Sequence, residues 1–539
     1  MANLKQKVES VDVVIVGCGA GGAVIAKELG EAGVSVVVLE AGRRFDPVRD
    51  YPTDQQDFVA KAAKMFFESK DRRQDVYTAG GADGYGYVRA KGVGGSTLAY
   101  HAQTPRFHES DFRMRSQDGV GDDWPISYSD LEPYYTRVEY ELGVSGPGGA
   151  DANPFEPPRS KPFPTPSHEL SCASRLMQQG ARKLGLHWVQ IPLAIPTIPW
   201  GGRPSCARAG VCGYGCRIKA KSSMDVTYVP KAEATGRVEI RPECLAREIV
   251  MGQDGRARSV IYFDGAGEEH EITGRAVVVA GNAIETPRLL LLSTSEQFPN
   301  GLANSSGLVG KYLMEHLASL IGGRFHDPLD PWMGPPGGGL MQDFYETDKR
   351  NSFVRGWQVM PNQDWSWPQA FGLHKPGWGK AHKARIKQLV AHSFEINSCG
   401  EQLADVRNYV ALSPEVKDHR GMPAPHIVSE FRENDRVMLK AMDKCVKDLM
   451  EAAGAVELID YTPLIPGESA HYMGTCRMGT DPRKSVVNEW CRAHDVPNLF
   501  VADGSVFVTS ASANPTLTIA ALAMRTAEGM IGAFKRGDL

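Results

Sequence analysis

The 539-residue chain has no marked excess of charge of either sign, with 60 basic against 64 acidic side chains. No basic run stands out, so a nucleic-acid partner is not expected. No apolar run approaches the roughly 20 residues that span a bilayer, so no direct membrane span is expected. The opening residues, MANLKQKVES, are polar and mixed in charge, unlike a signal peptide. The expected address is therefore the cytoplasm, with the periplasm reached only through export beside a signal-bearing partner. Internal repeats and low-complexity tracts are absent. Cysteine is sparse, and seven of the ten (Cys18, Cys172, Cys244, Cys399, Cys445, Cys476 and Cys491) are scattered. That argues against a disulfide framework and suits a reducing compartment. The other three, Cys206, Cys212 and Cys216, lie close together. The length allows more than one core, so two or more lobes are expected.

What is present begins near the N-terminus. An apolar strand, Val11–Val16, runs into Gly17-Cys18-Gly19-Ala20-Gly21-Gly22, a G-x-G-x-x-G loop opening a helix-like run from Ala23 to Ala32. A second apolar strand, Val36–Leu39, ends on Glu40, followed by Ala41. Gly17 suits the tight turn, Gly19 the approach of a pyrophosphate, and Gly22 close packing of helix on sheet. The helix N-terminus offers free N–H groups and partial positive charge to phosphates. Glu40 stands where an acid can bind ribose hydroxyls. The glycine motif alone is weak in a glycine-rich chain; the strand, helix, second strand and terminal acid give it weight. A second glycine loop, Lys91–Leu98, contains Gly94-Gly95-Ser96-Thr97, and its plain alternative is an ordinary turn.

Elsewhere, punctuation marks the organisation. Pro154 to Pro166 reads as a linker. Short strands are expected at Val238–Ile240, Glu248–Val250 and Ser259–Phe263, and a buried one at Ala276–Ala280. Thr286-Pro287 opens a leucine-rich helix. Residues 325–380 read as long surface loops, whose Trp357, Trp365, Trp367 and Trp378 could offer flat faces to a sugar ring or could cover the lobe's own core. Strand-like segments alternate with turns from Leu389 to Glu430, and Arg432 to Ala453 reads as an amphipathic helix. Near the C-terminus come His471-Tyr-Met-Gly-Thr-Cys-Arg-Met-Gly479, Asp503-Gly504, and Asn514-Pro515-Thr516 before a long apolar helix.

Taken together these motifs resemble the glucose–methanol–choline (GMC) oxidoreductases, FAD-dependent enzymes of alcohols. The resemblance rests on Gly17–Gly22 with Glu40, the Gly94–Thr97 loop, Gly281–Pro287, Gly310–His316, the His471 block, Asp503-Gly504 and Asn514-Pro515, all in family order. Asp122-Asp-Trp-Pro-Ile126, Leu131–Tyr135 and Glu141-Leu-Gly143 are similar to the bacterial branch of glucose and gluconate dehydrogenase flavoprotein subunits. The resemblance implies a mixed α/β and α+β chain. A Rossmann-like FAD-binding domain would be assembled from residues 1–165, 220–316 and 466–539. A cysteine-bearing excursion would occupy 166–219, and a substrate domain with an antiparallel sheet covered by helices would occupy 317–465. Gly17, Gly19, Ala20, Gly21, Gly22, Glu40, Ala41, Gly94, Gly95, Ser96, Thr97, His101, Asp503, Gly504, Asn514, Pro515 and Thr516 are the implied FAD contacts.

Oxidising an alcohol removes a hydroxyl proton and a hydride. The flavin would take the hydride, and a neutral imidazole suits the proton. The resemblance places His471 as this base and Asn514 as its partner, whose amide can hydrogen-bond the substrate oxygen. By local sequence alone, Asn514 before Pro515 would be an ordinary helix N-cap. His316 reads as structural, and His101 as a residue beside the flavin ring. The Cys206, Cys212, Cys216 spacing equals that of the three-iron cluster in the glucose dehydrogenase branch, although the continuation after Cys216 lacks that branch's proline; the alternative is a compact glycine–cysteine loop. The expected activity is oxidation of a sugar, glycoside or polyol hydroxyl. Its electrons would pass to a non-nicotinamide acceptor, such as a cytochrome or a small partner subunit. The alternatives are an oxygen-using oxidase of the same fold and a non-redox flavoprotein.

Overall fold

The computed structural model describes residues 9–51, 76–329, 333–335, 338–362, 377–460, 465–467 and 469–539. The N-terminal strand Glu9–Val16 lies at the centre of a seven-stranded sheet. It is flanked in parallel by Val36–Leu39 and by Glu269–Val279. Val238–Arg241 adds in parallel outside Val36–Leu39. The central apolar runs are buried on both faces, with Val13, Val14, Ile15 and Val277–Val279 fully inaccessible, as a covered parallel sheet requires. Helix Ala20–Glu31 packs over this sheet beside the long C-terminal helix Thr516–Arg536.

Glu269–Val279 does two jobs. Its polar first half pairs antiparallel with Ala257–Phe263, while its apolar second half takes Leu499–Val501 in parallel. Only the second half, Ala276–Ala280, was legible as a buried strand, because Glu269-His-Glu-Ile has no continuous apolar run. Through Leu499–Val501 the C-terminal block joins the sheet that starts the chain.

A second sheet is entirely antiparallel: Trp357–Asn362, Ser393–Glu401, His316–Arg324 and Glu457–Asp460, in that order. Helix Glu433–Ala452 covers it with Met438, Met442, Val446, Leu449 and Met450, spaced along one helical face. Tyr409–Lys417, Pro423–Val428 and Thr78–Gly80 form a three-stranded sheet.

Three sequence expectations change. Residues 325–380 are not all loop, since Trp357–Asn362 is the edge strand of the antiparallel sheet. Leu389 lies in a helix, Gly379–His392, whose Ala, Lys, Arg and Gln content favours that state. Helix Thr516–Arg536 does meet the length and hydropathy of a membrane span, contrary to the expectation, but 67% of its most apolar stretch is buried inside the protein. It is a core helix, packed on Ala20–Glu31 and on Tyr128–Leu142.

Candidate active site

Two glycine loops meet at the C-terminal end of the parallel strands. Gly94 N donates to Cys18 O at 3.0 Å. A Cβ on Gly95 would stand 2.7 Å from Gly19 Cα, so only glycine permits this approach. Within the first loop the glycines differ. Gly17 has φ +98°, and a Cβ there would lie 2.3 Å from Ala280 O. A Cβ on Gly22 would meet Gly17 O at 2.0 Å, and one on Gly21 would meet Ala502 O at 1.5 Å. These three hold helix to strand and helix to the C-terminal block. Gly19 is different: the nearest atom to its Cβ would be 3.8 Å away. Its free side faces a cavity of about 460 Å³.

That cavity combines several kinds of chemistry in one space. Gly17, Gly19, Ala20 and Gly21 line one part with Glu40 and Ala41, while Gly95, Ser96, Thr97 and His101 form another wall. Asp503, Gly504, Pro515 and Thr516 close the C-terminal side, so the start of a 21-residue helix faces the cavity. Gly22 and Gly94 lie behind the lining and shape the loops. Glu40 accepts Cys18 N at 2.9 Å and Gly42 N at 2.8 Å, which orients its carboxylate at the cavity edge. Burial raises its pKa. Asp503 is spent on the protein, accepting from Asn282 N at 3.0 Å, Thr286 Oγ1 at 2.5 Å and Ser505 N at 2.8 Å. It ties the Gly281–Pro287 turn to the C-terminal block, and its contribution to the cavity is the wall it thereby fixes.

His471 and Asn514 line the same cavity. The ring of His471 meets that of His316, Nδ1 to Nδ1, at 2.9 Å. Packing and this neighbour hold the His471 imidazole well below its ordinary pKa. Burial holds His316 at about 4. Both rings are therefore neutral near pH 7, as a proton acceptor must be. His316, read from sequence as structural, is the direct partner of His471. Cys399 Sγ completes the group, with the three ligand-type atoms within 4.8 Å of one another.

Asn514 is not an N-cap. The helix is capped by Pro515 without a side-chain bond. The Asn514 amide instead accepts from Gln358 Nε2 at 3.1 Å and donates to Gln103 Oε1 at 3.4 Å. The turn carrying it is stitched to the antiparallel sheet. Ser512 Oγ donates to Gly356 O at 2.7 Å, and Ala511 N donates to Glu401 Oε1 at 3.1 Å. Glu401 is held in turn by buried Arg355, at 2.6 Å, which also pairs with Asp111. Asn397 lines the cavity, and its Oδ1 is buried with no hydrogen-bond partner among the described residues. Gln103, Gln358, Asn397 and Arg355 had no sequence signal, because single amides and arginines carry no spacing that marks a site.

The cysteine triplet lies to one side and nothing in its arrangement supports the iron–sulfur expectation. Cys206 Sγ accepts from Arg208 N at 3.3 Å and Cys216 Sγ from Lys221 N at 3.4 Å. Lys221, its pKa lowered to about 8 by burial, donates to the carbonyls of Cys212, Leu98 and Tyr100. It pins this loop to the chain that follows the second glycine loop. Of the candidate stacking tryptophans, Trp357 is core, packed face to face with Phe344 at 5.0 Å. Trp378 is 92% exposed, while Trp365 and Trp367 lie outside the described residues.

The cavity brings together open backbone at Gly19, a helix N-terminus, an oriented acid, a neutral imidazole and an amide. Residues 11–318 match the N-terminal model of the GMC oxidoreductases, and residues 404–523 match the C-terminal one. The chain belongs to the GMC oxidoreductase family, flavoenzymes that act on CH–OH donors. It is 34% identical over 531 residues to a 2-methyl-1,2-propanediol dehydrogenase of Mycolicibacterium austroafricanum, covering 96% of this chain and 95% of that one. It is 32% identical over 550 residues to the fructose dehydrogenase large subunit of Gluconobacter japonicus, covering 98% and 99%. A formate oxidase of Aspergillus oryzae, studied for modification of its FAD, shares the fold with TM-score 0.72 at 16% identity, over 98% of this chain and 99% of that one.

Proposed function

We propose that the protein oxidises a hydroxyl of a sugar, glycoside or polyol to a carbonyl and passes the electrons to a non-nicotinamide acceptor outside the chain. The observation that carries this reading is that neutral His471 and Asn514 both line the cavity that holds the glycine cradle. Bound FAD would supply the acceptor for the hydride leaving the carbinol carbon. Gly17–Gly22, the Gly94–Thr97 loop and Glu40 would hold it. His471 takes the hydroxyl proton on Nε2, the ring nitrogen that does not face His316. Asn514 holds the same oxygen by hydrogen bonding. Asn397 Oδ1, buried at the cavity and otherwise unbonded, suits a further substrate hydroxyl, since an unpaired buried acceptor is costly.

The named relatives support this substrate range: one acts on a diol, one on a sugar, and a third, 30% identical, is a 6'''-hydroxyparomomycin C oxidase of Streptomyces lividus. The first two are dehydrogenases, which favours an acceptor other than oxygen, such as a cytochrome or partner subunit. The test is anaerobic bleaching of the flavin by a panel of sugars, glycosides, polyols and simple alcohols, followed by admission of air. Bleaching by polyhydroxylated compounds with slow reoxidation is expected. Bleaching by simple aliphatic alcohols alone would defeat the substrate reading, and rapid reoxidation by air would make the enzyme an oxidase. His471→Ala is expected to keep FAD and reduce it roughly a hundredfold more slowly. Reduction at the parent rate would remove His471 as the base.

A further inference from the structure

We propose that the polarity of the site is imposed from outside by two one-way hydrogen-bond chains, with His316 and Gln358 as positioning residues. One chain makes His471 Nε2 an acceptor, and the other makes Asn514 a donor. The proposal rests on the roles of His471 and Asn514 given above.

The first chain starts at a backbone carbonyl. Ser510 O lies 3.2 Å from His316 Nε2, and a carbonyl only accepts. His316 Nε2 therefore carries the proton. A neutral imidazole has one N–H, so His316 Nδ1 is a lone pair. That lone pair faces His471 Nδ1 at 2.9 Å, so His471 Nδ1 is the donor. The remaining nitrogen of neutral His471, Nε2, is then the open acceptor. The other tautomer would set two lone pairs against each other at Nδ1 and present an N–H to the substrate. It could not take a proton.

The second chain starts at a backbone N–H. Phe155 N donates to Asn153 Oδ1 at 3.1 Å, which fixes the flip of Asn153. Asn153 Nδ2 donates to Gln342 Oε1 at 2.6 Å, and Gln342 Nε2 to Gln358 Oε1 at 3.1 Å. Gln358 Nε2 donates to Asn514 Oδ1 at 3.1 Å, and Asn514 Nδ2 to Gln103 Oε1 at 3.4 Å. All five amides are buried, so reversing one would set N–H against N–H where water cannot compensate. Asn514 thus has its oxygen bonded towards the antiparallel sheet. One N–H serves Gln103, and the second is left for the cavity that Asn514 lines.

An alcohol fits this pair in one sense only. Its O–H donates to His471 Nε2 while its oxygen accepts from Asn514 N–H. With FAD bound, the C–H electron pair would leave as hydride to the flavin; the O–H proton goes to His471 Nε2, and the carbonyl oxygen formed keeps the Asn514 bond. Each chain begins on a backbone group, so neither can reverse without refolding the segment around residue 155 or residue 510.

The direct test is the 15N spectrum of histidine-labelled protein, with the His471 signals assigned by their loss in His471→Gln. An unprotonated Nε2 and a protonated Nδ1 are expected in the parent. His316→Leu should mix the tautomers. His316→Asn puts an amide oxygen where Nδ1 stood and should preserve the parent pattern. In stopped flow, His316→Leu and Gln358→Leu should each slow flavin reduction about tenfold, the scale of one lost hydrogen bond. His316→Asn should recover most of the rate at unchanged FAD content. A protonated Nε2 on His471 in the parent overturns the first chain without any variant at position 316. Parent-rate reduction in Gln358→Leu overturns the second. A slow His471→Ala together with a parent-rate His316→Leu defeats this proposal alone, whereas a parent-rate His471→Ala defeats the reading beneath it.

Discussion

Gly19 and Gly21 are two residues apart in one loop, and substitution should affect them in opposite ways. A Cβ on Gly21 would lie 1.5 Å from Ala502 O, so about 2 Å of movement is needed to reach ordinary contact. Both partners are main chain: Gly21 lies in helix Ala20–Glu31, and Ala502 follows the strand Leu499–Val501 that joins the parallel sheet. Gly21→Ala must therefore part the helix from the C-terminal block, at an overpacking cost of about 1–3 kcal/mol or more. Gly19 has φ −84° and ψ −157°, and its Cβ would meet nothing nearer than 3.8 Å. Gly19→Val should disturb the fold far less than Gly21→Ala, costing about 1 kcal/mol at this helix N-cap, yet fill the space a pyrophosphate would occupy. The assay is a thermal melt of flavin-free protein beside an FAD titration. Gly21→Ala should melt several degrees lower. Gly19→Val should melt closer to the parent and fail to retain FAD, where the parent holds about one per chain. A Gly19→Val protein with stoichiometric flavin would refute the placement of the phosphates.

Further outcomes follow from the site. Because His471 is held well below the ordinary imidazole range, its neutral, active form persists to lower pH. Flavin reduction should be flat through the ordinary imidazole range and fall only in more acid solution; a half-maximal rate at or above about pH 6.5 would show an unperturbed base. Arg355→Met leaves Asp111 and Glu401 buried without their cation. It should cost about 3–5 kcal/mol in chemical denaturation, and a loss under about 1 kcal/mol would make the network dispensable. Cys212→Ser should leave flavin reduction unchanged, and iron and sulfide assays on anaerobically prepared protein should be negative; iron and sulfide present in the parent and lost together in Cys212→Ser would establish a cluster.

Much of the frame was readable along the chain because it depends on local backbone demands. Val11–Val16 and Val36–Leu39 are apolar runs that only a covered parallel sheet accommodates. Gly17 needs a positive φ, which residue type announces. The amphipathic helix near Arg432–Ala453 and the helix after Pro515 follow from period and a proline at the start. Boundaries failed where a strand changed partners, as in Glu269–Val279, whose polar half has no apolar signature. Trp357 stayed open between a ligand face and the core, because a tryptophan's position, not its type, decides whether it stacks on ligand or, as here, on Phe344.

By itself, then, the amino-acid order determined the nucleotide-binding frame, the family and two side chains, His471 and Asn514, that line the cavity. Those features reside in contiguous segments, where glycine, strand and helix preferences act over a few residues. Only the tertiary structure decided what those two side chains can do. His316 is 155 residues from His471, and Gln358 is 156 from Asn514. An imidazole has two neutral tautomers and an amide two flips, which interconvert freely in the isolated residue. The choice between them belongs to the hydrogen-bond partner that folding brings alongside.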